Sequence, residues 1–299
     1  MSAPSLSRSP AAYAMLVTLI LVWGTAFYLV KIAVEAVHPS AVAAARVLFA
    51  AAVVIPFAIL TKRDLPKGAR RWLTCGIAGV LSLALPITLL TWAQQFVPSG
   101  VVGIYMAAIP LLVLPLAHIF SPGEEMTRNK LVGFIIGFVG LLLLIGFETV
   151  TLLGSANGLA QLACLATALC YATSSLIIRR APKTDPIAFS AIALFVASLL
   201  VLPLGITHWP TEPIPAYVWT IMIWVGVIAT GLAMVLRVVV ISTAGSVFMS
   251  IAGYFLPIIA LLVGTIFGAE EIGFSDLIAC VLILSGVAYA QFGSKRVPQ

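Results

Sequence analysis

The sequence predicts an all-α polytopic membrane protein in which ten transmembrane helices form two inverted five-helix repeats around a central cavity. Three observations support this fold class. The first is composition: of the 299 residues, 62% are hydrophobic and only 9% are charged, whereas soluble domains carry about 25% charged residues. The second is that the apolar residues form ten long segments. The third is that segments six to ten repeat the layout of segments one to five.

The ten segments have the lengths that membrane-crossing helices need. A hydrocarbon core about 30 Å thick is crossed by about 20 apolar residues in helical conformation. No polar stretch is long enough to fold separately, so we expect one membrane domain. The first segment is too long for the apolar region of a signal peptide, and residues 1–10, rich in Ser and Pro, are expected to be disordered. The predicted spans cover residues 11–34, 40–61, 72–95, 99–120, 131–147, 158–180, 186–206, 217–240, 246–268 and 275–293.

The basic residues predict how these helices are oriented. With both termini in the cytoplasm, 14 of the 16 Lys and Arg residues lie on the inner side, and only Lys31 and Arg46 fall toward the outside. Such a distribution follows the positive-inside rule. It also explains the net charge of +6 without a nucleic-acid partner. Two cytoplasmic termini require an even number of spans, and ten satisfies that requirement.

The internal repeat is read from matching residues at a nearly constant separation. Trp23 matches Tyr171 at an offset of 148, Pro110 matches Pro257 at 147, and the Glu pair at 124–125 matches the pair at 270–271 at 146. The first repeat is predicted over residues 11–147 and the second over residues 158–293. Because each repeat has five helices, the second enters the membrane upside down. Inverted repeats are typical of transporters with a site near the midplane.

The chain resembles the drug/metabolite transporter superfamily, and within it the ten-helix EamA-type exporters. The resemblance is carried by the segment 23–27 (WGTAF) with Lys31 after it, by Gly123-Glu124 followed by three glycines, and by the later echo Ala269-Glu270-Glu271 followed by Gly286. It resembles in particular bacterial inner-membrane exporters of amino acids and related metabolites, including aromatic amino acids. The resemblance implies a cavity lined by helices one, three, four, six, eight and nine, with helices five and ten at the periphery.

A set of aromatic, sulfur-containing and hydroxyl side chains near mid-depth is predicted to line the substrate cavity. Rings and thioethers suit amphipathic organic substrates, and hydroxyls can orient an amino or carboxyl group. Packing between helices, with an interfacial aromatic belt, is the alternative interpretation. The candidates are Trp23, Thr25, Tyr28, Trp92, Tyr105, Met106, Tyr171, Ser174, Phe248, Met249 and Tyr254.

Four further residues are candidates for hinges or gates. Pro110 and Pro257 lie mid-span in matching helices, where proline bends a helix; each is either a hinge or a static kink. Arg46 and Arg237 lie inside predicted spans, where a charge indicates a functional site by default. A structural ion pair or a contact with lipid phosphate remains the alternative for both arginines.

The predicted function is a carrier that exports amino acids or related small metabolites by alternating access. A channel-like or facilitative pore is the alternative, and an intramembrane enzyme is less favoured, because the sequence has no HExxH motif, no paired mid-membrane aspartates and no serine elbow. We expect a small-molecule substrate and the lipid bilayer as partners, and no cofactor, metal or nucleic acid. The oligomeric state is left open, since the GxxxG pair Gly133 and Gly137 suits either packing within the monomer or a dimer face.

Overall fold

The computed structural model describes residues 9–120, 126–146, 155–249 and 251–292, and these residues form ten helices. Eight of the helices are long and apolar enough to cross a membrane, and the last two are shorter apolar helices. The all-helical fold class predicted from the sequence is confirmed. The helices are α1 (Pro10–Ala36), α2 (Pro39–Leu60), α3 (Ala69–Ala93), α4 (Ser99–Phe120), α5 (Arg128–Ile145), α6 (Ala156–Arg180), α7 (Pro186–Thr207), α8 (Ala216–Ala244), α9 (Ala252–Gly268) and α10 (Phe274–Phe292).

The helix boundaries differ from the predicted spans by a few residues at most ends. The largest difference is in the ninth span, predicted over 246–268, where a short helical turn (Ser246–Met249) precedes the main helix that starts at Ala252. At the start of the chain, Ser9 caps α1 and Pro10 begins it: the Ser9 hydroxyl accepts a hydrogen bond from the Ala12 amide at 3.2 Å, and proline is favoured in the first helical turn. The rest of the predicted disordered segment, and Glu124, lie outside the described residues.

Helix packing follows the two-fold symmetry that the repeat predicts. The matching pairs α2–α7, α4–α9 and α5–α10 each pack together, and the contact of α1 with α8 is repeated by the contact of α6 with α3. Successive helices cross in opposite directions, so ten crossings bring the two ends of the chain to one face of the bundle. We call this the terminal face, and the other the opposite face.

The symmetry extends to backbone detail in α3 and α8. Each helix contains a short π-helical segment, Val80–Ala84 in α3 and Val227–Leu232 in α8, and the two begin 147 residues apart. A glycine stands immediately before each segment. Gly79 lies against the Ala193 backbone of α7, and Gly226 lies against α2 at Arg46. An added Cβ would overlap the neighbouring helix at both positions, so the two halves approach each other through the same kind of contact.

Glycines also allow the close contact between α5 and α10. A Cβ built on Gly286 would come within 2.5 Å of the Gly133 carbonyl oxygen and within 2.7 Å of the Gly137 Cα. The GxxxG pair of α5 therefore packs within the monomer, which decides between the two alternatives that the sequence left open for it. Much of the outer surface of these two helices is apolar and exposed, as expected for helices that face lipid.

Candidate functional site

A cavity of about 330 Å³ lies between the two halves of the bundle. Most of its wall comes from six helices, α1, α3, α4, α6, α8 and α9, which are the six that the family resemblance implied; α2, α5 and α10 contribute one residue each. Apolar side chains dominate, with a few hydroxyls and cations, and the described lining includes no Asp or Glu. A cavity of this size and chemistry suits a small amphipathic molecule. The lining includes Trp23, Phe27, Arg46, Ser82, Met106, Pro110, Tyr171, Ser175, Thr230, Arg237, Met249 and Leu256.

The cavity extends to the terminal face of the bundle. Its lining there includes Ala117 near the end of α4, Lys130 in the first turn of α5 and Arg179 in the last turn of α6. All three of these helix ends lie on the terminal face. A solute on that side would therefore meet a basic rim before it reaches the apolar interior.

Hydrogen bonds between helices close the cavity toward the opposite face. The Tyr28 hydroxyl donates to the Phe267 carbonyl at 2.7 Å and ties α1 to α9. The buried Gln94 side chain donates from Nε2 to the Phe27 carbonyl and ties α3 to α1. Both bonds reach a backbone carbonyl on another helix, so they hold the helix axes together as well as the side chains.

Glu270 supplies a third bond at the same closed end. Its carboxylate accepts from the Ser99 amide at 2.8 Å and from the Gly100 amide at 3.0 Å. These amides stand at the start of α4, where backbone N–H groups lack partners within the helix and where the helix dipole favours a negative charge. The connection after α9 is thereby fixed to the start of α4, and we name the bonds of Tyr28, Gln94 and Glu270 together the opposite-face seal.

Arg237 is held at the cavity wall by three hydroxyl groups. Its Nη1 donates to the Ser82 hydroxyl at 3.1 Å, and its Nη2 donates to Ser174 at 3.0 Å and Ser175 at 2.8 Å. The guanidinium carbon also lies 5.8 Å from the centre of the Tyr171 ring, within the range of a cation–π contact. These partners come from α3 and α6, so Arg237 of α8 joins both halves of the protein.

Arg46 approaches the same cavity from α2. Its Nε donates to the Thr230 hydroxyl at 2.7 Å, and the side chain is only 8% exposed. Thr230 lies in the π-helical segment of α8, and its hydroxyl in turn donates to the Val225 carbonyl five residues earlier. The Thr230 hydroxyl therefore donates to the backbone of its own helix while it accepts from Arg46.

The structure brings some of the predicted cavity residues together at the wall. Trp23, Met106, Tyr171 and Met249 line the cavity. The Trp23 Nε1 donates to the Ala229 carbonyl at 3.0 Å, so its ring lies across the contact between α1 and α8. Ser174 is not part of the wall, but it holds Arg237 from behind.

Other predicted cavity residues do not line the cavity, because their polar groups or rings contact other parts of the protein. The Thr25 hydroxyl donates to the Leu21 carbonyl of its own helix at 2.8 Å. Tyr105 is fully buried and donates to Gln161 at 2.9 Å. The remaining members of this group lie in the opposite-face seal or in packing contacts away from the cavity: Tyr28 bonds Phe267, Trp92 packs on Phe96, Phe248 packs on Tyr13, and Tyr254 packs in the cluster around Tyr105.

The two prolines differ in their surroundings. Pro110 lines the cavity and follows an interruption of α4 at Ala108, between the helical stretches Ser99–Ala107 and Ile109–Phe120. Pro257 is buried inside the continuous helix Ala252–Gly268, against Gly103 of α4. The two prolines occupy matching positions in the repeat, but only α4 is interrupted next to its proline.

Several residues of the site were missed by sequence reasoning. Ser82 and Thr230 hold the two arginines, yet single hydroxyls are too common in membrane helices to stand out. Glu270 was noted only as part of the repeat. Two features of the sequence could have predicted that Glu270 contacts a helix start. It matches the Glu at 124 in the repeat, and it lies just after a span. Among the described residues, no group of three or more His, Cys, Asp or Glu side chains could hold a metal ion.

Comparison with known proteins is consistent with this architecture. The chain matches the EamA-like transporter family twice, over residues 10–146 and 158–290. It is 25% identical over 288 residues to a protein of Bacillus subtilis (strain 168) described as "Uncharacterized transporter YoaV", a match that covers 94% of this chain and 97% of that protein. A protein of known crystal structure has the same fold, with a TM-score of 0.70 and 22% identity over 96% of this chain and 99% of that one.

Proposed function

The chain belongs to the EamA-like transporter family, and from that premise we propose that it is a secondary carrier that exports amino acids and related metabolites by alternating access. It is a multi-pass membrane protein and not an enzyme. We further propose that it resides in a bacterial cytoplasmic (inner) membrane with both termini in the cytoplasm, because that orientation places most of the Lys and Arg residues inside. The terminal face is then the cytoplasmic face.

The observation that carries this proposal is a cavity that reaches one face and is closed at the other. The cavity extends to the basic rim at the terminal face, while the opposite-face seal joins α1, α3, α4 and α9 at the other end. An open pore would need a continuous path. A carrier needs access from one side at a time, and the described seal supports the carrier.

The inverted repeats supply the second conformation that a carrier requires. Because the two halves pack through matching contacts, exchanging the conformations of the two halves would close the terminal face and open the opposite one. We propose that α4 bends at the interruption before Pro110 during this exchange, and that Pro257 acts as the matching hinge of α9. Arg46 and Arg237 lie beside the cavity in the described arrangement, and we propose that they contact the cargo.

Counterflow in proteoliposomes tests the function. Vesicles loaded with an unlabelled amino acid are diluted into a trace of the same labelled amino acid, for a panel that includes aromatic and branched-chain members, with and without a pH gradient. A carrier gives a transient, saturable accumulation of label. A channel gives a flux that does not saturate and no counterflow. Absence of label uptake for every amino acid would refute the proposed substrate class.

A further inference from the structure

Two buried positive charges face the cavity, and neither has an acidic partner among the described residues. Arg46 is 8% exposed and Arg237 is 7% exposed. Every hydrogen-bond partner that the structure gives them is a neutral oxygen: Thr230 for Arg46, and Ser82, Ser174, Ser175 and the Tyr171 carbonyl for Arg237. Hydroxyls stabilise a guanidinium group, but they do not neutralise its charge. An uncompensated charge buried within a membrane is strongly unfavourable.

Both arginines retain donor groups that no described protein atom accepts. A guanidinium carries five N–H groups in a fixed plane. Among the described residues, Arg46 has an acceptor only for its Nε, and Arg237 has no acceptor for its Nε or for one hydrogen of Nη1. Both side chains line the cavity. Their remaining donors are therefore available to a molecule inside it, with the planar geometry that binds a carboxylate through two parallel hydrogen bonds.

The internal repeat shows that the close contact between α2 and α8 does not require an arginine at position 46. At the offset of 147, Arg46 corresponds to Ala193 and Arg237 corresponds to Leu90. The contact of Gly226 with α2 at Arg46 is repeated by the contact of Gly79 with α7 at Ala193. The second copy of the contact thus forms with an alanine in place of Arg46, so close packing of these helices does not depend on the positive charge of Arg46.

We infer that Arg46 and Arg237 bind an anionic group of the transported molecule, and that the cargo is an amphipathic organic acid held by its carboxylate. This inference rests on the proposed function and narrows its substrate. The described lining has no Asp or Glu, so a positively charged amino group gains no ion pair in the cavity. The rest of the wall, with Trp23, Phe27 and Leu256, suits an apolar side chain. Recognition therefore depends on the acid group and not on the amine.

The two arginines are attached to α8 at different levels, Arg237 directly and Arg46 through its bond to Thr230. Arg237 and Thr230, the partner of Arg46, are seven residues apart on α8, which corresponds to about 10 Å at 1.5 Å per residue. Arg237 is nearer the terminal face. An anion that enters from that face reaches the level of Arg237 before the level of Thr230, to which Arg46 is bonded.

Binding of matched ligands to the purified protein tests the inference directly. The probes are two sets of three: phenylalanine with its 2-oxo acid and its amide, and leucine with its 2-oxo acid and its amide. The oxo acid lacks the ammonium group and the amide lacks the carboxylate. We expect each oxo acid to bind within a few-fold of its amino acid or more tightly, and each amide to bind at least about tenfold more weakly, because charge-assisted hydrogen bonds are lost. Equal affinity for acid and amide, or no binding of any acid, would overturn the inference.

Variants assign the effect to the two arginines. Arg237→Gln and Arg46→Gln should each reduce the preference for acid over amide, and Arg237→Lys should retain part of it. Arg63→Gln is the control, because Arg63 pairs with Asp185 at 3.4 Å outside the cavity. Size-exclusion profiles show which variants are folded, and the ligand comparison on the unmodified protein needs no variant. If amino acids show counterflow but acid and amide bind alike, the anion site is refuted while the carrier function stands. If no counterflow occurs, the carrier function fails, and the binding result still tests the anion site.

Discussion

Glu270 is predicted to hold the opposite face closed, and neutralising it should open that face. In Glu270→Gln the side chain keeps one acceptor oxygen, but it loses its charge and turns an N–H donor toward the Ser99 or Gly100 amide. At least one of the two bonds, at 2.8 and 3.0 Å, is therefore lost.

The size of the effect follows from those bonds. A hydrogen bond to a charged group contributes about 1.5–3 kcal/mol to stability, and about 1.4 kcal/mol changes an equilibrium tenfold. Glu270 is half-buried, so the lower part of the range applies. The bonds can form only while the start of α4 and the connection after α9 stay together. The ratio of closed to open opposite face should consequently fall by about tenfold or somewhat more.

Cysteine labelling measures this ratio. Ala26 lines the cavity and is 2% exposed, so a cysteine there reacts with a membrane-impermeant thiol reagent from the opposite face only when the seal opens. The background replaces the four native cysteines, Cys75, Cys164, Cys170 and Cys280. Glu270→Gln should raise the labelling rate on intact cells about tenfold, and Glu271→Gln, at an exposed neighbouring position, should not. An unchanged rate in a well-folded Glu270→Gln protein would refute the role of the carboxylate in the seal.

Three further predictions concern packing, pH and the hinge. Gly286→Leu should lower the melting temperature and the folded yield, because a side chain there overlaps Gly133 of α5; the exposed substitution Val281→Leu is the control, and equal melting of both variants would contradict the close contact. The His38 pKa lies below its ordinary value of 6.5, first because of partial burial and second because of His208, whose ring stacks on it at 4.3 Å. The folded protein thus favours neutral His38, so this contribution to stability is present above about pH 6.5 and is lost as the pH falls through the lowered pKa. In NMR titrations His208→Ala should move the His38 pKa upward, and an unchanged value would exclude the ring contact as a cause. Pro110→Ala should slow counterflow at unchanged folded yield, by removing the break in α4, and full counterflow in that variant would remove the hinge.

Much of the fold could be predicted from the sequence, because the signals involved are local. The length and composition of an apolar segment indicate whether it can cross the membrane, independently of the segments around it. The repeat was visible because prolines and aromatic residues kept a nearly constant offset. The odd number of helices in each half then gave the inversion by geometry alone. Arg46 and Arg237 were identified for the same kind of reason, since a charge within a span is unfavourable wherever it points.

The faces of the helices could not be predicted in this way. Consecutive helical residues point about 100° apart, so the direction of a side chain depends on how the helix is rotated against its neighbours. Met106 reaches the cavity, while the adjacent Tyr105 is buried against α6 and bonds Gln161. Apart from a few charged residues such as Arg46 and Arg237, the residues of these spans are apolar or weakly polar, so no hydrophobic pattern separates a face toward lipid from a face toward the cavity.

The sequence alone determined the number of helices, their inverted arrangement and the presence of two charges in the membrane. The tertiary structure decided what those charges do, by bringing Arg46 of α2 and Arg237 of α8 to one cavity and giving them only neutral partners among the described residues. It also joined Glu270 to the start of α4, 170 residues away along the chain. The physical reason is the range of the interactions involved. Transfer of a segment into lipid depends on that segment alone, whereas a cavity and its closure depend on contacts between segments that are distant in the sequence.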